Sequence, residues 1–588
     1  MAIGRRRLPV ALIVFACTCA FVVQSPGWAQ TSYMALSKAL SQGTAKIDRW
    51  HWETHDVAYT DGHYYSVKPP GLVLATFPLY RALDAAGAGD VAHDARVRSE
   101  SGGRTPWAAR TLPTAQYGYS AARALAAREA IADDAPITWA LGLLGVLAPA
   151  ILLLVLVARC ADRIAPGTGT AVALTLGAGT LVLPFSTLYF SHMLSALLGF
   201  AAFVLVWRER DRARARAAGA GDGGLRPWML ALAGLLGGLA VVCEYPLAIA
   251  AGIVGLYALT PRAPGLVRRA LAYGGGFAAG VAPLLAYQWW AFGSPLHLAY
   301  ANAVATTGRS GHDELGLNES GFFGITVPRP LDALELLFSG RGLLTLTPVL
   351  AMAIAGVVAL RRQRGGRHRA EATTIIAIAV AYLLYNAGYW LPLGGGSPGP
   401  RFLIPILPFV ALGLAIAWRR WPAVNLALTA ISATTMVTAT MSYPMIGVND
   451  PGEWVRRMTN FDLYQHSVLD LVGIAHGAVS IVPFAFGIAL ALALGLSSLT
   501  RAELARGARS APAAVGVWAL CAVVLPRPLQ LPSGGAMSLI AVASLIGLLA
   551  VALAARPQRP SRAPSAQDEE HHAVAPRALE VQAAQRSG

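Results

Sequence analysis

Residues 54–80 concentrate the ionisable chemistry of an otherwise apolar chain: Asp56 and Asp61, His55 and His63, Tyr59, Tyr64 and Tyr65, and Lys68. Carboxylates beside one cation can hold an anion and move a proton. Asp61-Gly62 is a turn dipeptide, so these groups are expected on a bend rather than along a helix face. Pro69 and Pro70 push Val67 and Lys68 towards extended backbone, and a helix can start from the pair. A solvated loop would show the same residues, and chemistry alone weighs the two readings equally.

Four further stretches carry candidate groups. Gly394-Gly395-Gly396-Ser397-Pro398-Gly399-Pro400-Arg401 runs straight into an apolar segment. Its glycines allow close backbone approach to a ligand, and Arg401 could clamp a phosphate with two parallel donors. An arginine snorkelling to lipid headgroups is the equal alternative. Arg341, in Phe338-Ser339-Gly340-Arg341-Gly342, enters a span in the same way, with topological anchoring its plainer explanation. His192 follows Tyr189-Phe190-Ser191, where a structural imidazole is commoner than a catalytic one. Glu244, just before Pro246, is an acid at or inside the membrane boundary, and such carboxylates are costly enough to be functional by default. His312-Asp313-Glu314, Glu319, and the group Asp450, Glu453, Arg456 and Arg457 could hold a metal or an acceptor, or simply be solvated.

The elements that must position these groups are membrane helices. Hydrophobic residues make up 55% of the 588 and charged residues 13%, with mean hydropathy +0.51, the signature of a polytopic membrane protein. The net charge of +16 lies in arginine clusters between apolar runs, which argues for membrane orientation and against nucleic-acid binding. Lys38, Lys46 and Lys68 are the only lysines, all within the first loop. The five cysteines show no metal-ligand spacing and no disulfide framework. Nucleotide-binding, zinc and serine-nucleophile motifs are also missing.

The chain divides into residues 1–29, a first transmembrane helix or signal anchor; 30–137, a long extracytoplasmic loop carrying the motif; 138–555, the transmembrane helical region; and 556–588, a disordered cytoplasmic tail. Within the loop, Tyr33–Leu40 and Gly71–Leu83 read as interfacial helices, the second anchored by Tyr80 and Arg81, and 88–118 as a flexible insertion. Spans are expected near 138–158, 169–187, 190–207, 228–243, 246–260, 272–291, 342–360, 372–391, 402–418, 423–442, 478–497, 513–525 and 536–555. With the first helix the count is about fourteen. The clusters Arg208–Arg226, Arg262–Arg269, Arg361–Arg369, Arg419-Arg420 and Arg501–Arg509 then share one side with both termini. The candidate chemistry falls on the other.

At Gly62-His63-Tyr64-Tyr65-Ser66-Val67-Lys68-Pro69-Pro70-Gly71, with Gly399-Pro400-Arg401 downstream, the sequence resembles the GT-C superfamily of integral-membrane glycosyltransferases. That superfamily includes protein O-mannosyltransferases and aminoarabinose transferases, and the likeness to its bacterial branch extends loosely over residues 30–460. The resemblance implies an all-α polytopic fold with interfacial helices in the first loop, in the bacterial inner membrane, its active site on the extracytoplasmic face. It implies an inverting transfer of a sugar from a polyprenyl-phosphate donor to an envelope glycan, lipid or protein. Lys68 matches the motif lysine and would bind phosphate. Read from the residues themselves, Arg401 and Arg341 are further candidate phosphate ligands, and Tyr64, Tyr65, His192 and Glu244 candidate substrate contacts. The general base would be a first-loop carboxylate. Members carry an acid before the first amphipathic helix, but here that place reads Ala29-Gln30-Thr31-Ser32-Tyr33, leaving Asp56 or Asp61 for the role. No cofactor beyond the lipid-linked donor is implied, and a divalent metal stays open. The competing readings are a non-enzymatic polyprenyl-phosphate carrier or flippase using the same cations, and a transporter of small solutes. Span centres almost without charge disfavour the transporter.

Overall fold

The computed structural model describes residues 2–101, 120–217, 219, 225–260, 265–304, 321, 324–363, 366–445, 452–460, 463–529 and 537–555. His312-Asp313-Glu314, Glu319, Asp450 and the tail lie outside them. The protein is an all-α multi-pass membrane protein. Among the described residues, seven helices are long and apolar enough to cross a bilayer, nine if each of two bent pairs is one span, and five more apolar helices are shorter. The expected count of about fourteen therefore includes segments that do not cross as simple rods. Residues 169–187 break into Gly169–Ala178 and a short turn at Val182–Phe185, because Gly179 and Pro184 interrupt the run. The 342–360 segment joins Pro330–Leu346 to Val349–Arg362 at 98°, and Arg401–Ala411 meets Leu414–Arg420 at 58°.

The first loop departs furthest from expectation. Its opening helix spans Trp28–Ser41, starting five residues before Tyr33. The residues preceding it are therefore Gln24-Ser25-Pro26-Gly27, which also lack a carboxylate. Val57–Thr60 and His63–Ser66 form an antiparallel hairpin around Asp61-Gly62, both at positive φ (51° and 80°), and Ala303–Val304 adds a third strand. Gly71–Ala85 is the expected helix, but Tyr80 is buried inside the protein instead of anchoring an interface. The segment read as a flexible insertion is helical over Ala88–Ser101, and Arg96 Nε donates to Asp133 Oδ1 at 2.6 Å. Helix continues from Ala121 to Ile164, 44 residues with a π segment at Leu143–Leu147, so the rod begins well before Thr138. At 1.5 Å per residue this rod, ~66 Å, far exceeds the ~30 Å hydrocarbon core, and its first half projects beyond it. Lys38 Nζ bridges buried Glu53 (2.9 Å) and Asp134 (2.6 Å), tying the opening helix to that projecting half.

Helix contacts follow membrane packing logic. The Pro227–Cys243 and Leu266–Phe292 helices cross at Gly234, Gly238, Gly276 and Gly280, where an added Cβ would collide with the partner backbone. Close by, buried Arg269 holds buried Glu209 through both guanidinium ends and donates Nε to Ala258 O at 2.8 Å. Arg269→Met is expected to cost about 3–5 kcal/mol, because it strands Glu209 without its partner. A denaturant series should show the loss, and adding Glu209→Leu should recover most of it.

Candidate active site

The hairpin register sets Asp56 and Val67 opposite each other just below the Val57–Ser66 pair, which brings Lys68 beside Asp56. Lys68 Nζ lies 2.7 Å from Asp56 Oδ2, both side chains about one-tenth exposed. Ser32 Oγ donates to Asp56 O (2.7 Å) and meets Ser66 Oγ (2.8 Å), and Lys68 N donates to Ser66 Oγ (3.2 Å). The opening helix thus fixes both ends of the motif. Gly71 fixes its exit: a Cβ there would meet Cys243 N, Cys243 Sγ and Val242 C, each at 2.7 Å. Only glycine lets the Lys68-Pro69-Pro70-Gly71 corner seat against the Cys243-Glu244 helix end.

Four of the candidate residues line one half-open cavity of about 360 Å³: Lys68, His192, Glu244 and Arg401. Its other walls are largely aromatic, with Phe190, Tyr245, Tyr300, Tyr385, Tyr389 and Phe402. His192 is buried, its Nδ1 against Glu244 Oε1, and its ring stacks on Phe190 at 5.3 Å and 9°. Both ring nitrogens of His192 are buried, and neither makes a hydrogen bond of good geometry among the described residues. Ser191 Oγ also donates to Glu244 Oε1 (2.8 Å) and bonds the Tyr33 hydroxyl at 3.1 Å, giving a polar chain from the opening helix to the imidazole. The Arg401 guanidinium sits over Phe190 (5.3 Å) and Phe402 (5.4 Å), an aromatic seat that orients the fork while leaving charge for an anion. Gly394, at φ 79°, leaves the space that the Arg401 side chain needs: a Cβ would come within 2.8 Å of its Cγ.

The other candidates stand elsewhere. Asp61 is exposed at the hairpin tip and does not line the cavity, so the turn that makes it conspicuous in sequence also carries it away. Tyr64 stacks on His51 (4.0 Å, 2°) and Tyr65 packs on Phe292 (4.8 Å); both build the hairpin. Arg341 donates Nη1 to Gly395 O (2.8 Å) and Ser397 O (3.1 Å), so it shapes the glycine-rich loop that leads into Arg401. Glu453 is engaged by Arg456 (3.1 Å) and Arg457 (2.9 Å) one helical turn away. Among the described residues no three His, Cys, Asp or Glu converge as a metal group. The sequence reading missed Tyr33, Tyr300, Tyr385 and Tyr389. The i,i+4 spacing of Tyr385 and Tyr389 near the outer end of a span was the available signal.

His55, beside Asp56 and packed 4.5 Å from Trp28, is buried, and burial pushes its imidazole down to about 4 against the pull of Asp56. A depressed folded-state value means stability that is complete above the ordinary value of 6.5 and lost as pH falls towards 4. The loss is up to about 3 kcal/mol. Hydrogen exchange of peptides covering 42–70 is expected to accelerate over that window, and His55→Phe should flatten the dependence.

Comparison with known proteins gives two structural likenesses. The chain is similar to ArnT from Cupriavidus metallidurans bound to undecaprenyl phosphate, at 15% identity and TM-score 0.44, covering 92% of this chain and 87% of that one. It is similar to the apo form of the same protein at 14% identity and TM-score 0.43, with the same coverage. No protein-family model matches the chain, and no curated protein does.

Proposed function

We propose that this protein is a GT-C-type glycosyltransferase of the bacterial inner membrane that takes a sugar from a polyprenyl-phosphate donor on the extracytoplasmic face. The observation that carries the reading is the meeting of Lys68 and Arg401, from opposite halves of the chain, in one cavity with Glu244 and His192. Two cations of different geometry suit a lipid phosphate, and an aromatic wall suits a sugar and the first isoprene units. In this mechanism an acceptor hydroxyl attacks the anomeric carbon as the bond from that carbon to the phosphate oxygen breaks. Lys68 and Arg401 take up the negative charge gathering on the leaving phosphate. Asp56 holds Lys68 in place, and His192 Nε2, oriented by Glu244, receives the acceptor proton. The base role thus passes from the first-loop carboxylates to the pair that faces the cavity. The acceptor is an envelope glycan, lipid or protein.

The test is native mass spectrometry and turnover with undecaprenyl phosphate and a panel of its sugar derivatives, with a cell-envelope extract supplying acceptor hydroxyls, comparing wild type, Lys68→Ala and His192→Gln. The transferase reading expects lipid retention by wild type and His192→Gln, and sugar loss from the donor only in wild type. Retention of donor with no transfer by any form would favour the carrier. Failure of wild type to retain any polyprenyl lipid would sink both.

A further inference from the structure

Arg214, Arg367 and Arg369, with Gly366, Ala370 and Thr373, line a second concavity of about 480 Å³ that the proposed chemistry does not use. Two antiparallel helices connect it to the cavity. The His192–Ala217 helix opens at the cavity and carries Arg214 near its other end, ~33 Å along the axis. The Arg369–Ala387 helix runs the opposite way, from Arg369 in the arginine pocket to Tyr385 in the cavity wall, ~24 Å. These lengths match one hydrocarbon thickness, so the arginine pocket lies at the depth of the opposite headgroup layer.

Its charge is only partly matched. Arg214 Nη2 reaches Glu371 Oε1 at 3.0 Å and Nη1 reaches Asp211 Oδ1 at 3.2 Å. Arg367 Nη2 lies 3.5 Å and Arg163 Nη1 4.0 Å from Asp211 Oδ2. Among the described residues, Arg163, Arg214 and Arg367 therefore share Asp211 and Glu371, Arg369 adds a fourth charge to the wall, and Arg367 is 69% exposed. We infer that this pocket holds the phosphate headgroup of an anionic phospholipid in the leaflet opposite the cavity. Headgroup depth, a concave arginine wall and surplus positive charge favour a lipid phosphate over a zwitterionic headgroup, whose own cation would be repelled.

The experiment uses the full-length protein in a neutral detergent, titrated with phosphatidylglycerol or phosphatidylcholine of the same acyl chains and read by native mass spectrometry. Arg367→Gln/Arg369→Gln is expected to weaken phosphatidylglycerol retention by about tenfold to thirtyfold and leave phosphatidylcholine unchanged. Arg367→Lys/Arg369→Lys, which keeps the charge, is expected to retain most of the binding. Equal phosphatidylglycerol retention by wild type and the glutamine variant would overturn the inference, as would wild type holding both lipids alike. Displacement by excess inorganic phosphate would reassign the pocket to a free anion.

Discussion

Lys68→Ala and Arg401→Ala are each expected to weaken retention of undecaprenyl phosphate by about 30- to 1,000-fold, the ~2–4 kcal/mol carried by a desolvated charge-assisted contact to phosphate. The two losses should differ in kind. Removing Lys68 takes away the cation 2.7 Å from the buried Asp56 carboxylate, whose field then opposes an incoming phosphate. Lys68→Ala combined with Asp56→Asn should therefore bind better than Lys68→Ala alone. At Arg401 the diagnostic change is Arg401→Lys: charge survives, but the planar fork seated between Phe190 and Phe402 does not. Retention by Arg401→Lys is expected to fall clearly below wild type and stay above Arg401→Ala. Isothermal titration or native mass spectrometry with the same lipid separates these cases. Wild-type affinity in both alanine variants would remove the cavity from the donor's path.

Glu244→Gln and His192→Gln are expected to lower turnover about 10²- to 10⁴-fold while leaving donor retention close to wild type. Neither residue supplies a cation to the phosphate in this scheme; their joint role is to take a proton. Glu244 accepts from Ser191 and abuts His192 Nδ1, while Nε2 is buried without a hydrogen-bond partner among the described residues. Glu244→Gln keeps the shape but loses the carboxylate that would balance a proton arriving on the imidazole, so the rate should fall with the lipid still bound. Asp56→Asn gives the opposite pattern: its main loss should appear in donor affinity, because Lys68 loses its fixed partner. If Asp56→Asn instead abolishes turnover at unchanged affinity and Glu244→Gln does not, the base is the first-loop carboxylate after all.

The parts of this site legible in sequence were those defined by local backbone chemistry. Asp61-Gly62 marked a turn, and Pro69-Pro70-Gly71 marked a corner followed by a helix; both are present. Glu244 and Arg401 were conspicuous because charge beside an apolar run is costly, and both line the cavity. Asp61, Tyr64 and Arg341 do not line that cavity, because a residue type near a motif does not say which way its side chain points. A one-residue step along a strand reverses the face. Tyr33 and Tyr300 gave no signal for the converse reason: a tyrosine outside a motif has many ordinary uses.

Composition and apolar run length alone established an all-α membrane protein, since a bilayer-facing surface requires unbroken backbone hydrogen bonding and little charge. The tertiary structure decided everything that depends on pairs distant in the chain. It set Asp56 against Lys68 through hairpin register, and Glu244 against His192 where two helix ends meet. It also broke and bent apolar runs that hydropathy counts as spans, because hydropathy measures transfer into lipid and protein burial satisfies the same preference. Which charges meet is a property of packing, and packing is where local sequence patterns lose their reach.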